Sequence, residues 1–412
     1  MPDAKPPMTG FEEALHLVLS MVPRLAEEEV ELFEAVGRVL AEEVVSTINS
    51  PSADAALKDG YAVRSSDLND AKPGHEVELA LIGVQTAGGR LEAPALTPGT
   101  TVRVTTGAPL PRGAQAVLAR EYAREEQGRV FCHNNAAPGR NVLPLGADIR
   151  TGQVIARPGE PLHPALIGLL ASAGRQRLRV FARPRVAVIA TGDEVVLPGA
   201  ALAAGQLYAS NLIETLAWLN ALGFPKVESA IVPDREKAIA QAVTRLAGTV
   251  DAFITSGGAW QSERDLVAQT LSDLGWRLVF HQVRLGPGKA AGFGLLGGRP
   301  FFLLPGGPPS FEAALLTLAL PGLMAMAGWR GPIFPVLWAR LTQVLDGDED
   351  WTQVVHVELI AEEGGWAAVP LKEASRLSSM ARKAGLVLIP EGTARLEAGQ
   401  KVRVQVVAPL PA

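Results

Sequence analysis

Arg183-Pro184-Arg185-Val186-Ala187-Val188-Ile189-Ala190-Thr191-Gly192-Asp193-Glu194 is the stretch on which the fold of this chain turns. Val186 to Ala190 is an unbroken apolar run without polar alternation, which predicts a strand covered on both faces. Moving outward, helical patterns at 211–222, 235–246, about 262–274 and from Ser310 alternate with strand patterns at 227–232, 252–254 and 301–304. Strands alternating with helices predict a parallel sheet with helices on both faces. Beyond Gly331-Pro332 the chain returns to short strands, as in a terminal β-barrel or sandwich. Upstream, short alternating runs between 72 and 130, punctuated by Pro98-Gly99, Pro111-Arg112-Gly113 and Gln127-Gly128, predict a small antiparallel domain. Thr9-Gly10-Phe11-Glu12 matches a capping box ahead of a helix, and a second helical pattern spans about 32–45.

Composition narrows the function classes. The 412 residues carry 43 acidic and 38 basic side chains, a net charge of −5, without the clustered positive footprint a nucleic-acid binder needs. At roughly 150 residues per domain this length predicts two to four domains. The single cysteine, Cys132, rules out an internal disulfide and fits a reducing cytoplasm. The six histidines are scattered without zinc spacing. Residues 1–9 hold charge and three prolines but no apolar core, unlike a signal peptide. The apolar stretch 313–329, broken by Pro321-Gly322, is shorter than the roughly 20 residues of a bilayer span and predicts a buried helix rather than a membrane contact.

Ligands of open parallel sheets bind outside the carboxyl ends of the strands. Three such ends carry small residues: Thr191-Gly192-Asp193-Glu194, Thr255-Ser256-Gly257-Gly258 and Pro305-Gly306-Gly307-Pro308-Pro309-Ser310. Any one of them is ordinarily just a tight turn. Together, the last two leading into helix N-termini, they point to a phosphate-bearing ligand. Gly286-Pro287-Gly288-Lys289-Ala290-Ala291 formally fits G-x-G-x-x-A, but the four glycines within 292–300 leave no helical face, so a nicotinamide site is not expected. What remains is a lysine on a stiff turn, suited to an oxyanion or simply solvated. Asp59, Asp148, Glu194, Asp234 and Asp265 sit beside glycine or at element ends. Converging on a phosphate they would hold Mg²⁺; singly they are caps or surface charges. No G-x-S-x-G, H-E-x-x-H or Cys/His nucleophile pattern is present.

In order along nearly the whole chain, the residues resemble the MoeA-type molybdopterin molybdenumtransferases, the family of the gephyrin C-terminal domain. The motifs are Glu34-Ala35-Val36-Gly37-Arg38-Val39-Leu40-Ala41-Glu42, Asp59-Gly60-Tyr61-Ala62-Val63-Arg64, Thr106-Gly107-Ala108-Pro109-Leu110-Pro111 and Gly139-Arg140-Asn141 with Gly146-Ala147-Asp148-Ile149. Thr191-Gly192-Asp193-Glu194, Ser256-Gly257-Gly258, Pro287-Gly288-Lys289, Leu304-Pro305-Gly306, Ser375-Arg376-Leu377 and Gly385-Leu386 follow. Each motif is weak alone; their succession is specific.

The resemblance implies an α/β plus β, multidomain, elongated subunit. It would comprise a helical linker domain (1–50 and 146–181), a β-rich domain (51–145), an α/β molybdopterin-binding domain (182–330) and a C-terminal β domain (331–412). It implies a cytoplasmic homodimer with the site between subunits. Its reaction would insert molybdate into adenylylated molybdopterin, with Mg²⁺ or another divalent cation assisting release of AMP. A molybdopterin adenylyltransferase and apo-molybdoenzymes would be its protein partners. Asp59, Thr106, Glu194 and Asp234 would be catalytic, and Glu194, Asp234 and Asp148 would hold the metal. Ser256, Gly257, Gly258, Asp265, Lys289, Gly306, Ser310, Arg376 and Ser379 would bind substrate.

This chain departs from the family pattern at the expected oxyanion pocket. K-P-G-K-P reads Gly286-Pro287-Gly288-Lys289-Ala290, and S-V-G-x-x-D reads Trp260-Gln261-Ser262-Glu263-Arg264-Asp265. L-P-G-N-P-V-S reads Leu304-Pro305-Gly306-Gly307-Pro308-Pro309-Ser310, and Ser-Ala-Met before Asp59 is Ala56-Leu57-Lys58. An expected arginine is Gln353, and A-N-G is Lys383-Ala384-Gly385. Each lost charged hydrogen bond to a dianion costs on the order of 1–3 kcal/mol; Arg264 and Lys58 are the candidate replacements. Two readings follow: a transferase with a modified oxyanion site, or a protein of the same fold that binds molybdopterin or its nucleotide as carrier, assembly factor or scaffold. Molybdate dependence separates them.

Overall fold

A computed structural model describes residues 8–88, 93–225, 227–257, 266–371 and 377–410. The chain divides into two compact units: Met1–Glu28 with Gly37–Ala41 and Val180–Ala412, and Glu29–Val36 with Glu42–Arg179.

In the first unit the Val186–Thr191 strand is buried along its whole length, as its apolar run predicts. It pairs in parallel with Glu228–Val232 on one side and Ala252–Ser256 on the other, and Ala252–Ser256 pairs in parallel with Arg299–Leu304. Alternate side chains feed two cores. Val186, Val188 and Ala190 face one layer, while Ala187 and Ile189 face the helices Glu236–Ala247 and Leu266–Asp273. The four-stranded parallel core is as expected, and the sheet as a whole is mixed. Gly292–Leu296 and Trp276–His281 add two antiparallel strands at one edge. Gly297 and Gly298, both at positive φ, supply the tight hairpin turn that makes this possible. Because Gly292–Leu296 is a strand, the glycine run at 286–291 opens no helix, and the dinucleotide fingerprint is excluded by context.

Of the apolar stretch at 313–329, residues 313–326 belong to the helix Pro308–Met326, which is 78% buried over its apolar window. Pro321-Gly322 does not break it. A π turn, Leu315–Ala319, lies immediately upstream and absorbs the missing proline N–H. A Cβ at Gly322 would stand 2.7 Å from the Val18 side chain, so glycine there lets the first helix, Phe11–Met21, approach.

The first helix starts differently from its capping-box reading. Gly10 is the N-cap, no side chain caps locally, and Thr9–Gly10 pairs in parallel with Val283–Gly286. The Phe11 N–H instead donates to Glu391 Oε1 at 3.1 Å, from a residue 380 positions away. Arg284 donates to the same carboxylate at 2.7 Å. A tertiary cap has replaced the local one.

The C-terminal strands close on themselves. Thr352–Glu362, Gly365–Pro370, Val336–Leu341, Lys401–Val406 and Gly385–Ile389 pair in turn, and Gly385–Ile389 returns to Thr352–Glu362. The resulting five-stranded barrel leaves no free edge within its ring. Val283–Gly286 adds in parallel alongside Thr352–Glu362, with Gly286 in register with Gln353.

The second unit contains a six-stranded sheet in the order Ala116–Ala119, Gly60–Val63, Thr100–Val104, Val77–Gln85, Arg129–Cys132, Ala123–Glu126. Only the Val77–Gln85 and Thr100–Val104 pair is parallel. Gln127 and Gly128, both at positive φ, form the expected turn between the last two strands. The second helical pattern, 32–45, is realised only as a 3₁₀ turn, Leu32–Ala35. Gly37 at φ +73° ends it, and Val44–Val45 becomes a strand against Val154–Ala156.

Candidate functional site

The strand order, with the first strand between the second and third, creates a topological switch point between Val186–Thr191 and Ala252–Ser256. A cavity of about 930 Å³ opens there. Of the residues singled out from sequence, Glu194, Asp234, Ser256, Gly257, Gly306 and Ser310 all line it.

The three turns pack on one another because they carry no side-chain bulk. Gly257 sits at φ +98°, and a Cβ there would lie 2.6 Å from the Thr191 carbonyl oxygen. Its N–H donates to the Leu304 carbonyl at 3.2 Å, and a Cβ on Gly306 would be in ordinary contact with the Gly257 Cα at 3.6 Å. Asn211 was not anticipated as a site residue. It is 7% exposed at the start of the Ser210–Ala221 helix. Its Nδ2 donates to Ser256 Oγ and to the Gly306 carbonyl, each at 2.9 Å. An asparagine opening a helix reads as an ordinary end residue; only the tertiary contact reveals its role.

Glu194 and Asp234 form the acidic side of the cavity. Burial, then Glu194 and Asp193, push the Asp234 carboxyl above the usual aspartate range, while the Thr191 hydroxyl favours its charged form. This is the electrostatic setting a divalent cation relieves, and hard carboxylate oxygens suit Mg²⁺. Among the described residues no three His, Cys, Asp or Glu side chains gather as a metal-binding group. Glu194 and Asp234 are thus the two carboxylates that would hold such an ion.

On the opposite side, the Pro308–Met326 helix opens with Pro308 and Pro309, which have no N–H to offer. The Phe311 N–H is already donated to the Gly307 carbonyl. The first turn thus presents Ser310, with its N–H and hydroxyl, in place of the expected row of helix N–H groups. Lys289 is exposed; its ammonium lies 5.7 Å from the centre of the Trp351 ring and outside the cavity lining. Ser379 lies on the short helix Leu377–Met380, of which Leu377 lines the cavity. Gly258, Asp265 and Arg376 lie outside the described residues, as does the candidate cation Arg264. The other candidate, Lys58, is in the second unit and pairs with Glu121 at 3.7 Å.

Asp59, Thr106 and Asp148 belong to the second unit. There the structure brings the first two together: Asp59 Oδ1 accepts the Thr106 N–H at 2.7 Å and its hydroxyl at 2.9 Å. These bonds hold the exposed Asp59 carboxyl below the usual range. Gly60 follows because a Cβ there would meet the Leu118 carbonyl at 2.1 Å. Asp148 is exposed, its N–H donating to the Ser50 carbonyl at 2.9 Å.

This architecture defines a class. Residues 9–174 match the MoeA N-terminal region (domains I and II), 187–325 a probable molybdopterin-binding domain, and 339–407 the MoeA C-terminal region (domain IV). The chain is 31% identical over 402 residues to molybdopterin molybdenumtransferase 2 of Mycobacterium tuberculosis, covering 96% of this chain and 99% of that protein. It is 28% identical over 415 residues to the molybdopterin molybdenumtransferase of Nostoc, covering 97% and 94%. Among solved structures, the molybdopterin biosynthesis MoeA protein of Pyrococcus horikoshii superposes with a TM-score of 0.79 at 31% identity, covering 97% of this chain and 99% of that one. The chain belongs to the MoeA family of molybdopterin molybdenumtransferases.

Proposed function

We propose that the chain inserts molybdate into adenylylated molybdopterin and releases AMP with the help of a divalent cation. The observation that carries this is the switch-point cavity, where glycine turns, two facing carboxylates and Ser310 surround one space. The close turns at Gly257 and Gly306 let backbone approach a phosphate, as side-chain-free turns do. Asn211 fixes those turns against each other, so the phosphate meets a preformed surface. Glu194 and Asp234 would hold Mg²⁺ or a similar ion. Once bound, such an ion neutralises phosphate charge and favours departure of the adenylate. Ser310 donates toward an oxyanion. Lys289 adds long-range positive potential, and Ser379 and Arg376 are its proposed companions from the C-terminal domain. Asp59 and Thr106 are proposed to act on the adenylate, their mutual hydrogen bonds keeping Asp59 ionised.

We further infer a cytoplasmic homodimer, supplied by an adenylyltransferase and serving apo-molybdoenzymes. The second reading, a nucleotide-binding carrier, draws on Gln353, an uncharged side chain in register with Gly286 beside the Lys289 turn. AMP release from adenylylated molybdopterin, measured with and without molybdate and with and without Mg²⁺, separates the two. Release that requires molybdate supports the transferase. Tight binding without release at any molybdate concentration supports the carrier.

A further inference from the structure

The Pro308–Met326 helix shares an apolar core with barrel residues Val354 and Leu386, and beside it the helix meets the barrel through a buried charged cluster. Glu312, two residues past Ser310, is 2% exposed. Its Oε1 accepts from Lys383 Nζ, and its Oε2 lies 3.4 Å from His356 Nε2 on the Thr352–Glu362 strand. Lys383 Nζ also donates to the Met380 carbonyl at 3.1 Å, at the end of the Leu377–Met380 helix. Glu214, on the Ser210–Ala221 helix, faces Glu312 from the third side.

Four ionisable groups in one buried contact incur a desolvation penalty that packed apolar side chains would avoid. Stability alone is therefore a poor reason for them. What the ion pair supplies, and a greasy contact does not, is a fixed direction and distance. One ammonium group here binds two cavity-lining elements at once. Through Glu312 it grips the helix that presents Ser310; through the Met380 carbonyl it grips the short helix that carries Leu377 and Ser379. In the family pattern A-N-G the residue at this position is alanine, which has neither the charge nor the reach.

We propose that Lys383 is a positioning residue that clamps the Leu377–Met380 helix to the Ser310 helix and thereby sets the oxyanion end of the cavity. This rests on the transferase reading for its kinetic consequence, but not for its structural one.

The test uses the full chain and four variants: Lys383→Met, Lys383→Arg, Glu312→Gln and the double variant E312M/K383M. Hydrogen exchange is followed at residues 377–384, and AMP release is measured against molybdate concentration. In Lys383→Met, exchange in that segment accelerates about tenfold while the barrel strands are unchanged. The KM for molybdate rises about tenfold with kcat little altered, and Lys383→Arg recovers both. The double variant, apolar at both positions, guards against simple unfolding: it melts close to the parent and still shows the raised KM. Parent-like exchange in Lys383→Met, or a parent-like KM in the double variant, overturns the proposal. Should the parent itself release no AMP, the transferase reading fails, and the exchange result alone decides whether the clamp exists.

Discussion

Asn211 is the hydrogen-bonded brace between Ser256 and Gly306, its amide nitrogen 2.9 Å from each acceptor. Two strands end beside each other here, and one side chain from the Ser210–Ala221 helix holds both turns. Replacing Asn211 with Leu leaves the Ser256 hydroxyl and the Gly306 carbonyl without that partner. A buried polar group so abandoned costs about 1–3 kcal/mol. Urea denaturation of Asn211→Leu should show a loss of that size, and affinity for adenylylated molybdopterin should fall more than stability does. Parent-like affinity would remove Asn211 from the site.

Gly257 allows a sharper backbone test. At φ +98°, with a Cβ predicted 2.6 Å from the Thr191 carbonyl, Gly257→Ala must move one turn off the other. Strain of this kind costs about 1–3 kcal/mol. The expected result is a lower melting temperature together with loss of nucleotide binding. Gly199 has open space around it, so Gly199→Ala serves as the control at another positive φ.

The acidic pair makes an electrostatic prediction. Glu194 is one of the charges that raise the Asp234 carboxyl. Glu194→Gln should therefore lower the Asp234 pKa toward its ordinary value, measurable by carbon-detected NMR titration. Mg²⁺ affinity should weaken in the same variant, since one of two hard ligands is gone. An unmoved Asp234 titration would show that the two carboxylates do not sense each other.

Glu214 gives the chain a distinctive pH dependence. Burial and the neighbouring Glu312 push its carboxyl up to about 8, from 4.5 in an ordinary setting. Between those values the folded state keeps a proton that the unfolded state has released. Stability from this group therefore falls as pH rises from 4.5 to 8 and is level above. Glu214→Gln, which stays neutral throughout, should gain in melting temperature over the parent from pH 5 to pH 8. A constant difference across that range would contradict the shift.

Sequence made the parallel core legible because Val186–Ala190 and Ala252–Ile254 are unbroken apolar runs, as a doubly covered strand demands. The cavity was legible for a related reason. Glycine turns at strand ends are positions where backbones approach closely, and Gly257, where a Cβ would meet the Thr191 carbonyl, bears this out geometrically. What failed was whatever depended on distant partners. Thr9 looked like a cap because its local spacing fitted, but the Phe11 N–H found Glu391 across the fold. Pro321 looked like a helix end because a local rule says so, yet the preceding π turn carries the helix through. Asn211 carries no periodic or motif signal, and Lys383 shows in sequence only as a departure from A-N-G; their meaning lies in which carbonyls and carboxylates the fold brings to them.

The central claim is that this cavity transfers molybdenum rather than merely holding the nucleotide. Its most direct measurement is reconstitution. Purified chain is mixed with adenylylated molybdopterin, Mg²⁺ and molybdate, and the product is passed to an apo-molybdoenzyme whose activity is then read. The account predicts recovered activity that requires molybdate and is lost in Asp234→Asn. Nucleotide that stays bound and unhydrolysed, with no recovered activity at any molybdate concentration, would contradict it.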